Sequence, residues 1–68
     1  MTATGRAEID RYHEALKSGP KTQQELIALP DVNPVKFTSR MRELRVRLQL
    51  HGQDWLHRDG RYELVIPR

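Results

Sequence analysis

The 68-residue sequence predicts an α+β fold in which three helices are followed by a two-stranded β-hairpin. Three observations carry this expectation. Apolar residues recur at helical spacing in three segments before residue 50. The runs Ser18-Gly19-Pro20 and Pro30-Asp31 separate those segments with residues that cannot continue a helix. After Gly52 the pattern changes to alternation around Asp59-Gly60, a strong short-range hairpin signal. A chain this short reads as one domain, residues 1–68, and buries only about 60% of its unfolded surface, so its core must be small.

The first helix is expected over residues 4–17, with Ile9, Tyr12, His13 and Leu16 as its inward stripe. His13, on the edge of that stripe, reads as a structural histidine, because no second ligand lies at metal-binding spacing on this helix. Gly19 suits the left-handed position after the helix end, and Pro20 forbids continuation. The second helix is expected over residues 22–29. Thr22 and Glu25 form a capping box, each side chain satisfying a backbone N–H of the other's turn. Pro30, Asp31 and Val32 alone separate it from the next start, so the second and third helices must cross sharply, as in a helix-turn-helix. A plain three-helix bundle would satisfy the same caps.

Asn33 is the N-cap of the third helix, expected over residues 33–49, and Pro34 fits its first position because the missing N–H is unpaired there anyway. Phe37, Met41, Leu44 and Leu48 fall on one stripe that should face the core. Asn33, Lys36, Ser39, Arg40, Glu43 and Arg47 fall on the flank away from it, a polar and mostly cationic surface suited to a DNA major groove. The segment from Val46 to Leu50 also alternates and could form a short strand, but Leu48 continues the helical stripe and Gly52 is a natural terminator. The hairpin is expected over residues 54–66. With Asp59-Gly60 as a two-residue loop, Trp55 faces Leu64 and His57 faces Tyr62, and Arg58 and Arg61 flank the tip.

The formal net charge is +3 and is unevenly placed. Residues 1–32 carry four Lys and Arg against five Asp and Glu, whereas residues 33–68 carry eight against four. A cationic half is the footprint of a phosphate binder, although surplus arginine also serves solubility. The absence of cysteine removes disulfides and thiolate metal sites. No apolar run approaches a membrane span and the N-terminus lacks the pattern of a signal peptide, so a soluble, cytoplasmic protein is expected.

FTSRMRELRVRL resembles the recognition helix, and WLHRDGRYEL the wing, of the winged helix-turn-helix family of DNA-binding domains. The resemblance covers nearly the whole chain, and a short chain opening on its own methionine is similar to small phage or mobile-element regulators. Asp54 departs from the pattern, standing where a buried aliphatic residue usually begins the wing strand. The resemblance implies base reading by Lys36, Ser39, Arg40 and Glu43, with Thr22 and Asn33 donating to phosphates near helix starts. Arg42, Arg47, Arg58 and Arg61 would contact the DNA backbone, and Arg45, nearer the core stripe, would shield apolar surface with its stem.

No Ser-His-acid set or paired carboxylate is visible, and no enzyme activity, cofactor or metal is expected. His51, His57 and Asp54 could be imagined as ligands, but a hairpin turns His57 toward Tyr62. The expected partner is double-stranded DNA, with a second copy on paired half-sites compatible with the absence of a dimerisation helix. Neither a membrane nor a small-molecule substrate is implied. The alternative is a protein-interaction module that uses Trp55, Leu56 and Tyr62 as an exposed patch.

Overall fold

Residues 5–66 are described by a computed structural model, an α+β arrangement of three helices and a three-stranded antiparallel sheet. Helix α1 spans Gly5–Lys17, strand β1 Lys21–Thr22, helix α2 Gln23–Ile27, helix α3 Phe37–Leu50, and strands β2 and β3 span Asp54–Arg58 and Arg61–Val65. The expected first residue of α1, residue 4, lies outside the described residues. Among the described residues no helix is long and apolar enough to cross a membrane.

The caps are those the sequence implies. The Thr22 hydroxyl accepts from Glu25 N–H at 3.1 Å while Thr22 N–H donates to the Glu25 carboxylate at 3.0 Å. Helix α2 is shorter than expected. It ends at Ile27, with Ala28 as C-cap and the Leu29 N–H turned back to the Leu26 carbonyl, because Pro30 leaves no further donor to extend the ladder. Asn33 does cap the next element, accepting from Val35 N–H at 3.0 Å. Its first turn, Pro34–Lys36, is a 3-10 turn, and the α-helix proper begins at Phe37. At the other end α3 reaches Leu50. Gly52, at φ 73°, donates to the Gln49 carbonyl, and Gln53 N–H reaches the Leu48 carbonyl at 2.8 Å, the paired bonds of a Schellman stop.

The sheet corrects the two-strand expectation. Its order is β1-β3-β2, so β3 is central, and the third strand is Lys21–Thr22, not the Val46–Leu50 segment. That segment is helical because Leu44 and Leu48 are fully buried on the inner stripe, which leaves Val46 outside. The hairpin register is the expected one, with Trp55 opposite Leu64 and His57 opposite Tyr62. Asp59 and Gly60 both hold positive φ, 54° and 75°, as a type I′ turn requires.

The core joins Ile9, Tyr12 and Leu16 of α1, Leu26 of α2, the four-residue stripe of α3, and Tyr62 of β3. An edge-to-face aromatic chain runs through it, Tyr12 to Phe37 at 5.6 Å, Phe37 to Tyr62 at 5.5 Å and Tyr62 to Trp55 at 5.2 Å between ring centroids. His57 stacks flat on Tyr62 at 4.2 Å from the rim. The Tyr12 hydroxyl is buried and has no hydrogen-bond partner among the described residues. Burial first, and then the charge of Glu8, raise its pKa, with Arg40 opposing.

Candidate functional site

The burial of one stripe of α3 fixes what its other sides present. Lys36, Ser39, Arg42 and Glu43 are exposed, and among the described residues Lys36 and Arg42 make no ion pair. These four side chains and Val46 form an outward surface opposite the Phe37-Met41-Leu44-Leu48 stripe.

Arg40 and Arg47 depart from the open flank expected from the sequence, Arg40 the more completely. The Arg40 side chain is only 15% exposed, and Nε donates to the Glu8 carboxylate at 3.3 Å, a group itself 5% exposed. Nη1 donates to Glu43 at 3.1 Å. The guanidinium lies over the start of α1 so closely that a Cβ placed on Gly5 would stand 2.8 Å from Arg40 Cζ. The second oxygen of Glu8 accepts from Asn33 N–H at 2.8 Å. One buried carboxylate therefore holds both the cap residue of the 3-10 turn and the first turn of α3 against α1.

Arg47 also turns toward α1, where it pairs with Asp10. His13 is half-buried nearby, and its pKa is lowered, first by burial and then by the positive charges of Lys17 and Arg47. Arg45 lies on the opposite flank. Its guanidinium sits 4.0 Å from the centre of the Trp55 ring, while Nε donates to Asp54 at 2.9 Å and Nη2 to the Trp55 carbonyl at 3.1 Å. Covering apolar surface is the part the sequence suggests for it. Asp54, the residue out of keeping with a wing strand, is the acid that anchors Arg45 and also accepts from Trp55 N–H at 2.7 Å. Burial pushes the Asp54 carboxyl up, but its hydrogen bonds from Trp55, Arg45 and Gln49 outweigh that and leave its pKa lowered.

Thr22 and Asn33 spend their side-chain oxygens on their own helix starts. At the hairpin tip Arg58 donates to Glu63 at 2.8 Å, and Arg61, its cross-strand partner, makes no ion pair among the described residues. Together with Pro20 and Asp59 these residues line a shallow depression of mixed charge. Trp55 and Tyr62, two residues of the alternative exposed patch, turn inward, with the Trp55 indole N–H donating to the Met41 carbonyl at 2.8 Å.

Sequence reasoning missed Glu8 and Asp10, the two acids of α1 that occupy the arginines of α3. The signal for Glu8 is present but faint. It lies four residues before Tyr12, so the inward stripe of α1 passes through it, and a carboxylate on such a stripe demands a cationic partner. Asp10 has no comparable mark. Compared with protein-family models, with curated proteins and with solved structures, the chain matches none.

Proposed function

We propose that the protein is a winged helix-turn-helix domain that binds double-stranded DNA sequence-specifically, as a small transcriptional regulator. In this reading α3 enters the major groove and the hairpin rests on the backbone or minor groove. One observation carries it: Lys36, at the end of the 3-10 turn, and Ser39, Arg42 and Glu43 on α3 stand open on one side while the other side of that helix is sealed in the core. Lysine and arginine suit guanine O6 and N7, serine is versatile, and Glu43, through the oxygen that Arg40 does not hold, can accept from cytosine N4. Arg58 and Arg61 suit phosphates, which position the protein without specifying sequence.

The internal pairs refine the assignment. Arg40 leaves the base-reading set and becomes a positioning residue, since it meets Glu8 and Glu43 before it could meet a base. Arg42, exposed and without an ion pair among the described residues, takes the place nearest the bases. A protein-docking role through Trp55 and Tyr62 is the weaker reading, because both rings already serve the fold.

Titration of the chain with duplex DNA at two salt concentrations tests the proposal. If about six phosphates are neutralised, affinity should fall about a thousandfold or more between 50 and 200 mM salt. Binding that is absent, or indifferent to salt, would reject it.

A further inference from the structure

The outward side of α3 contains an apolar residue for which the core has no use. Val46 is 61% exposed and Leu50, at the helix end, is 80% exposed, whereas Leu44 and Leu48 are fully buried on the other side. Val46 lies three residues after Glu43, four after Arg42 and seven after Ser39, so it shares their face. A β-branched residue is also a weaker helix former than the straight-chain residues that would serve solubility at that position.

We propose that Val46 contacts the 5-methyl group of a thymine within the DNA site, an inference that rests on the reading of α3 given under the proposed function. That methyl is the apolar group among the base edges of the major groove. Lys36 and Arg42, on the same side and without an ion pair among the described residues, supply the positive charge that a duplex attracts and that an apolar protein partner would not require. Val46 lies one helical turn beyond Arg42, about 6 Å along the axis, which corresponds to roughly two base-pair steps of about 3.4 Å. Both side chains therefore reach the edges of one short site. Valine in a helix strongly prefers a single χ1 rotamer, so its methyls are already fixed and little entropy is lost on contact.

The test begins with selection of a bound sequence from a random duplex pool by the full chain. The enriched site is then resynthesised with each thymine in turn replaced by uracil, which removes the methyl and keeps every hydrogen-bonding atom. At one position the wild-type chain should lose affinity about fourfold, the contribution of one buried methyl group. Val46→Ala should lose a similar factor on the thymine site and be indifferent to uracil at that position. Because Val46 is exposed, the variant should keep its fold, as circular dichroism would verify. Val46→Thr, which exchanges one methyl for a hydroxyl, serves as a second variant. Uracil without effect at every position, or equal sensitivity of wild type and Val46→Ala, overturns the inference while leaving DNA recognition intact. Absence of any enriched site and of salt-dependent duplex binding overturns both.

Discussion

The flank of α3 that faces α1 and the face that looks outward are both rich in charge, yet their arginines stand in opposite circumstances. Arg40 and Arg47 meet Glu8 and Asp10 on α1, whereas Arg42 meets no carboxylate among the described residues. Arg42 and Arg40 are two positions apart, about 200° of helical rotation, and that rotation separates an arginine held inside the fold from one free to bind. Cationic composition therefore overstates the positive surface of this chain. The pairs also differ among themselves. Arg40 and Glu8 are largely withdrawn from water and hydrogen-bonded to further groups, so loss of either partner strands a charge. Arg11–Asp31 and Lys17–Glu14 are exposed pairs of the kind that add little to stability.

The sharpest way to break the contrast is Glu8→Ala, which takes from Arg40 its buried partner, leaving it only the exposed Glu43, and frees Asn33 N–H together. It should cost about 3 kcal/mol in urea unfolding, with Glu8→Gln costing less because an amide oxygen can still accept from Asn33. An unchanged midpoint would show that the carboxylate does not hold α3. On a selected DNA site, Arg42→Ala should lose about 1–3 kcal/mol of binding, if it reads a guanine, at unchanged stability. Arg40→Ala should do the reverse, lowering the unfolding midpoint and leaving the salt dependence of binding in place. Equal effects of the two on binding would erase the distinction between the faces.

On the third side of the helix, Arg45→Ala removes the cation–π contact and the bond to Asp54 and should cost about 1 kcal/mol. Trp55 fluorescence reports it directly, and an unaltered spectrum would mean the guanidinium does not cover the ring. The smallest effect concerns His13. Its folded pKa lies below the ordinary value of 6.5, so the unfolded chain binds the extra proton first. Stability should decline as pH falls through 6.5 toward the lowered folded value and then level off as far as this group is concerned. His13→Gln should remove that part of the slope, and an identical pH profile for the two proteins would contradict the shift.

What could be read from the sequence was mostly local chemistry. The capping box at Thr22, the Asn33 cap, the Gly52 stop and the Asp59-Gly60 turn each depend on residues a few places apart, and all form. The core stripe of α3 was equally legible, because Phe37, Met41, Leu44 and Leu48 repeat at helical spacing. The third strand was not, since Lys21–Thr22 is too short to show alternation and its partners lie near the other end of the chain. Nor was the fate of Arg40, because its angle on α3 permits either solvent or α1, and the deciding acid sits on another helix. For the candidate site, then, helical spacing puts Lys36, Ser39, Arg40, Glu43 and Arg47 on one open flank, while tertiary pairing turns Arg40 and Arg47 toward α1 and exposure brings Arg42, expected only at the DNA backbone, into the set.

Thr22 belongs to two elements at once, pairing with Arg61 in the sheet and capping α2 with its hydroxyl. The hairpin thus cannot swing away from the helices as an independent arm. Pulling Arg61 outward would drag on the residue that caps α2, and so a load applied at the tip is felt at the start of that helix. Sheet and helices should therefore move as one jointed piece.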